Sequence, residues 1–283
     1  MHSLKFVGHG NLELAADGFG SPQDPPVVFW PGGGQTRRSW HRVARRLARD
    51  GFHTIAVDLR GHGDSQWAQD GDYSADALAA DVVAVVSALR EPPVVVGASL
   101  GGMSACSALG ESSRLLLRAL VLVDIVPAAE AAGIERIRAF MRSGSTGFDS
   151  PEEAAAKVSA YLPHRPPRTA AALRSSLRQG HDHRWYWHWD PAFHNGSRSG
   201  DATFLRMQEA APNIRVPTLL VTGGASEVVT AAGARRFLDQ LPDGHWAELP
   251  GATHMVAGDA NSAFATAVTD FILRLPACTR AAF

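Results

Sequence analysis

Apolar positions along the 283-residue chain fall into short continuous runs, separated by longer stretches with apolar residues three or four apart. The runs Val27–Trp30, His53–Val57, Val94–Val96, Ala119–Val123, Thr218–Thr222 and His245–Leu249 predict short strands, most of them buried on both faces. Leu4 to Phe19 alternates weakly with glycine breaks, which suits an opening antiparallel hairpin. Between the runs, Trp40 to Asp50 predicts an amphipathic helix with Val43 and Leu47 inside and Arg42, Arg45, Arg46 and Arg49 mostly outside. Tyr73 to Leu89, Met103 to Leu109, Thr230 to Leu241 and Asn261 to Leu275 also read as helices. Pro127 to Pro212 breaks the alternation. It is rich in Ala, Arg, Pro and aromatic residues, with helical pieces and no convincing strand. Strand and helix in turn on both sides of such an insert predict an α/β fold: a mostly parallel sheet flanked by helices, carrying a helical cap. Residues 1–126 and 213–283 are expected to form the core domain, and 127–212 the cap.

Composition narrows the function classes. Hydrophobic content of 45% and charged content of 19% describe a globular protein with room for a large core. A net charge of −1 argues against a nucleic-acid partner or an anionic membrane, both of which call for a basic excess. The two cysteines, Cys106 and Cys278, make no disulfide framework. With no charged-then-apolar leader and no apolar run of spanning length, the expected setting is the cytoplasm, as monomer or homodimer.

Candidate chemistry centres on Gly97-Ala98-Ser99-Leu100-Gly101, which follows a β-branched strand and opens a run of small residues. A serine attacks a carbonyl only when its hydroxyl stands clear of the backbone, beside a base and near N–H donors. A tight strand-to-helix turn presents it so, and Gly97 and Gly101 let strand and helix approach. The Gly-x-Ser-x-Gly spacing is common by chance, so the strand before it and the helix after it carry the argument. Upstream, Pro31-Gly32-Gly33-Gly34-Gln35 ends another strand with little side chain to obstruct a ligand approaching its N–H groups.

With Pro31-Gly32-Gly33-Gly34 and Trp40, Asp58-Leu59-Arg60-Gly61-His62-Gly63-Asp64-Ser65, the Ser99 turn and Pro250-Gly251-Ala252-Thr253-His254 in order, the chain resembles the α/β-hydrolase superfamily over essentially its full length. It looks like the capped serine-esterase branch. The resemblance implies Ser99 as nucleophile and His254, between the last strand and last helix, as general base. It places the acid on the loop after the Thr218–Thr222 strand, where Glu227 is the first choice. Asp124, at the end of the preceding strand, is the alternative. The oxyanion donors it implies are the N–H groups of Leu100 and Gly33. Where the family usually has His-Gly, this chain has Pro31-Gly32, which removes a polar side chain that often braces the loop. His62 is read as part of a turn. Gly33, lacking a side chain, predicts a roomy acyl side tolerant of bulky acids.

Trp185, Trp187, Trp189, Tyr161, Phe140 and Met141 are the candidate substrate contacts, with Phe193 and Met207 behind them. They point to a mainly apolar, partly aromatic small-molecule ester. No residue in that stretch stands out as an anchor for a carboxylate or phosphate. His181, His183, His188 and His194 lie in the cap, but no metal or organic cofactor is expected. The leading function is ester hydrolysis through an acyl-enzyme. A lactonase, thioesterase or cofactor-free perhydrolase would share the machinery. Epoxide hydrolases and dehalogenases use a carboxylate nucleophile where this chain has Ser99, and a non-catalytic ligand-binding protein would not need the whole set.

Overall fold

The computed structural model describes residues 1–112, 117–195, 200–259 and 261–276. In chain order the first half contains β1 (His2–Val7), β2 (Glu13–Phe19), β3 (Pro26–Trp30), α1 (His41–Arg49), β4 (His53–Val57), α2 (Ala75–Ser87), β5 (Val94–Ala98), α3 (Leu100–Glu111) and β6 (Ala119–Val123). An insert follows, with α4 (Ala131–Arg142), α5 (Pro151–Tyr161), α6 (Ala170–Leu173), β7 (Leu177–Gln179), β8 (Trp185–Trp187), α7 (Ala192–Asn195) and α8 (Gly200–Ala210). The chain ends through β9 (Thr218–Gly223), α9 (Ala231–Leu238), β10 (Gly244–Leu249), α10 (Val256–Asp259) and α11 (Asn261–Arg274).

Eight strands form one sheet in the order β1-β2-β4-β3-β5-β6-β9-β10, parallel from β4 to β10 and antiparallel at β1-β2 and β2-β4. Alternate residues of each central strand enter opposite cores: Val95 and Val28 face one, Val94, Val96 and Phe29 the other. This double burial explains why those strands read as continuous apolar runs. Helices α2, α3 and α9 cover the first face. On the other, Val43 and Leu47 of α1 pack with Phe264, Val268 and Ile272 of α11. Local signals set the helix starts. The Ser74 hydroxyl accepts the N–H of Ala77 at 3.1 Å, and Ser150, followed by Pro151, accepts that of Glu153 at 3.2 Å.

The insert departs from the expectation of helices alone. Its β7 and β8 pair as an antiparallel ribbon, and Phe148 exchanges two backbone hydrogen bonds with Trp185. The three-residue strands are too short to show a period, so Trp185-Tyr186-Trp187 reads in the sequence as part of an aromatic cluster of candidate substrate contacts instead. Among the described residues no helix is long and apolar enough to cross a membrane.

The β5–α3 turn is a tight junction. A methyl group on Gly97 would sit 2.7 Å from the Gly102 Cα, and one on Gly101 would sit 2.5 Å from the Pro31 carbonyl oxygen. Both are backbone atoms with nowhere to go, so α3 can lie this close to β5 and β3 only without those side chains. Gly101→Ala is expected to destabilise the protein by at least ~3 kcal/mol, read as a lowered urea midpoint at unchanged m-value.

Candidate active site

Because Ala98 of β5 pairs in register with Val123 of β6, Ser99 and Asp124 leave adjacent strands side by side at the carboxyl edge of the sheet. Both bend sharply there, with left-handed φ of 46° at Ser99 and 49° at Asp124, a conformation that costs a non-glycine residue energy. The Ser99 N–H donates to the Val123 carbonyl at 3.1 Å, and its own carbonyl accepts the Met103 N–H at 2.9 Å, so the bend is held from both sides. Ser99 lines a cavity of about 730 Å³ that His254 also lines.

Asp124 is fully buried, and its carboxylate is met by three donors. The Gly223 N–H reaches Oδ1 at 3.0 Å, while the Ser226 hydroxyl at 2.5 Å and His254 Nδ1 at 2.8 Å reach Oδ2. A buried carboxylate without such partners would cost several kcal/mol. With Nδ1–H given to a carboxylate, the imidazole presents a bare Nε2. Glu227, the first choice for this acid, is elsewhere: it pairs with Arg136 of α4, and both side chains are more than a third exposed. The cause lies one residue earlier. The Ser226 hydroxyl, turned inward to Asp124, also accepts the N–H groups of Val228 at 3.1 Å and Val229 at 3.2 Å. That turn directs Glu227 outward, where it ties core to insert.

The glycine loop after β3 lies against the nucleophile. A Cβ on Gly32 would come within 3.4 Å of the Ser99 Cβ, and Gly33 lines the same cavity. The Leu100 N–H is the first of α3 and has no acceptor within the helix. Gly34, with φ of 76°, is held at both ends of its backbone. Its N–H donates to His62 Nε2 at 3.0 Å, and its carbonyl lies 3.3 Å from His188 Nε2. The opposite ring nitrogens fix the tautomers. His62 Nδ1 lies 3.0 Å from the Arg60 carbonyl, which only a protonated Nδ1 satisfies, and His188 Nδ1 accepts the Gly63 N–H at 2.8 Å. Thus His62, which the sequence offered only as part of a turn, supplies the bracing that Pro31 cannot, and His188 adds a second support from the insert. The turn carrying His62 is itself anchored. Arg60 makes a buried two-point contact with Asp81 at 2.6 and 2.7 Å, and buried Arg37 contacts Asp17, Asp58 and Asp64.

Of the predicted substrate contacts, Phe140, Met141, Tyr161, Trp187 and Trp189 line the cavity, whereas Trp185 does not: it sits at the turn end of the ribbon. Phe193 lines it too, while Met207 is buried beneath α3. Space above Gly33 is limited. A side chain there would meet Leu100, Met141 and Phe193 at 3.5–3.7 Å, so the room lies farther out, under the insert. Against expectation, five arginines line the cavity as well. His188 is engaged with Gly34 and Gly63 rather than with the other insert histidines. Among the described residues no three His, Cys, Asp or Glu side chains converge on a metal-sized site. The His194 side chain and Cys278 lie outside the described part.

A model of the alpha/beta hydrolase family matches residues 27–267. The chain belongs to that family. It is 32% identical to Esterase Rv0045c of Mycobacterium tuberculosis over 220 residues, 73% of this chain and 68% of that one. To 2-(acetamidomethylene)succinate hydrolase of Mesorhizobium japonicum it is 30% identical over 274 residues, covering 94% and 93%. A crystal structure of E-2-(acetamidomethylene)succinate hydrolase superposes with a TM-score of 0.81 at 28% identity, covering 96% of this chain and 99% of that one. This α/β-hydrolase is therefore a hydrolytic enzyme by family, with esterase-like relatives.

Burial pushes the His188 imidazole from its ordinary 6.5 down to about 4, against the opposing pull of the Gly34 carbonyl and Asp64. In the unfolded chain it protonates below 6.5, in the folded protein only near 4. Across that window the unfolded state binds more protons, so stability falls as pH drops. His188→Gln, which can still accept and donate, is expected to remove up to about 1.4 kcal/mol per pH unit from that acid slope, measured by urea unfolding at steps between the two values.

Proposed function

We propose that this hydrolase cleaves carboxylic esters of small, mainly apolar or aromatic substrates, with Ser99 as nucleophile, His254 as general base and Asp124 as the acid that orients it. The observation that carries the reading is the 2.8 Å contact from His254 Nδ1 to buried Asp124, in a loop lining the same cavity as the strained Ser99. His254 Nε2 takes the Ser99 proton as Oγ attacks the ester carbonyl. The charge developing on the carbonyl oxygen is received by the N–H groups of Leu100 and Gly33. Collapse of the tetrahedral species breaks the ester C–O bond, and the departing alcohol takes the proton back from His254. Water, deprotonated by the same nitrogen, then attacks the acyl-enzyme and frees the acid.

Asp124 keeps its charge throughout. It holds the imidazole in the Nδ1–H tautomer and stabilises the imidazolium that forms at each transfer. Glu227 has a different part in this account, as half of an exposed ion pair worth well under ~1 kcal/mol. Phe140, Tyr161, Trp187 and Trp189 offer the apolar walls that suit an aromatic or branched group. The His62 and His188 contacts to Gly34 hold the preceding Gly33 amide in place, so both act as positioning residues.

A panel of p-nitrophenyl esters and lactones tests the assignment. Ser99→Ala is expected to lose about 10⁶ in kcat and Asp124→Asn about 10⁴, while Glu227→Gln stays within about threefold of the parent. Loss confined to Glu227→Gln would refute the role given to Asp124. Turnover unaffected by Ser99→Ala would refute the nucleophile.

A further inference from the structure

Charge in the cavity wall is lopsided. Arg38, Arg138, Arg142, Arg165 and Arg168 line it, against Glu135 alone among the acids, although the whole chain carries a net charge of −1. The excess is therefore concentrated here and does not reflect a basic protein. Glu135 already pairs with Arg142, and Arg38 has Asp64 only at 4.0 Å. Arg165 is already engaged, giving one guanidinium N–H to the Met255 backbone carbonyl at 3.2 Å. Among the described residues Arg138 and Arg168 form no ion pair at all.

Arg138 lies on α4 and is half-buried, while Arg168 lies beyond α5 and is exposed at the cavity's rim, so both belong to the insert and not to the sheet edge that bears Ser99. A guanidinium held partly out of water keeps its charge and offers a planar fork of donors matched to a carboxylate or phosphate. Low-dielectric aromatic walls beside it focus the field into the cavity. An uncharged ester would use the walls and leave these groups unanswered.

Resting on the reading of Ser99 as an ester-cleaving nucleophile, we propose that the natural substrates carry an anionic group, carboxylate or phosphate, away from the scissile carbonyl, received by Arg138 and Arg168. The aromatic walls hold the apolar body between the two ends. Reaction at the carbonyl is unchanged, and the anion fixes which end of the substrate enters first.

The test compares p-nitrophenyl monoesters of dicarboxylic acids with their ω-methyl esters of equal length, and a phosphate-tailed ester with its neutral alcohol. The anionic member is expected to have the higher kcat/KM by about 10-fold to 100-fold. That preference should shrink on going to ~0.5 M salt. Arg138→Gln with Arg168→Gln should bring the ratio towards one, whereas Arg49→Gln with Arg90→Gln, which removes the same two charges from outside the cavity wall, should not. The tail that gains more identifies the anion. A ratio near one in the parent, or one untouched by salt and by the double substitution, overturns the proposal while leaving ester hydrolysis intact. If no ester is cleaved, hydrolysis by Ser99 fails, and quenching of Trp187 and Trp189 fluorescence by an aromatic carboxylate and by its amide still decides. Tighter binding of the carboxylate supports the anion site, and equal binding refutes it.

Discussion

A carboxylate with no access to water dictates the carboxyl edge of this sheet. Asp124 is fully buried, so its charge has to be answered by donors placed to within a few tenths of an ångström. They come from two separate loops: Gly223 and Ser226 after β9, and His254 after β10. The two loops also touch directly, the Gly224 N–H donating to the Leu249 carbonyl at 2.9 Å and the Ala225 N–H to that of Ala252 at 2.8 Å. The aspartate gives them a common fixed point, and the parallel register of β5 with β6 puts Ser99 beside it. Strain at the two left-handed residues is tolerated because the hydrogen bonds around them leave no relaxed alternative.

A second dependence runs through the glycine loop. Three successive glycines have little to pack and a wide choice of conformations, yet the account of catalysis requires one of their amides to stay put. The solution here is external. His62 takes the Gly34 N–H, and His188 lies against its carbonyl. The first ring is carried on a turn locked by Arg60–Asp81 and by Arg37, and the second arrives from the insert. Both rings serve as neutral hydrogen-bonding groups, which is why burial suits them.

The sheet was readable from sequence because each central strand is buried on both faces and so appears as an unbroken apolar run. Ser99 was readable because its surroundings demand glycine on either side, and His254 because its place between the last strand and helix matched a resemblance. The acid was not. Glu227 and Asp124 both follow strands, and what separates them is the direction in which the Ser226 hydroxyl points, a three-dimensional fact. The roles of His62 and His188 depend on contacts across 28 and 154 positions, which periodicity cannot register. The arginines of the cavity wall are scattered among others that simply face solvent, so only the folded insert distinguishes them. The β7–β8 ribbon leaves no mark in the pattern, because three residues are too few to establish alternation.

One consequence of His188 concerns how such an enzyme could be re-engineered or could diverge. A segment inserted between two strands looks exchangeable, free to be replaced wholesale to change what the protein accepts. In this molecule the exchange would also take away a ring that lies against the Gly34 peptide, next to the proposed oxyanion donor. A donor segment would therefore have to bring its own imidazole to the same spot, or the recipient would inherit a slackened loop along with its new selectivity. Under the proposed mechanism, rate and choice of substrate would then be coupled through a single side chain, and shuffling modules would alter both at once.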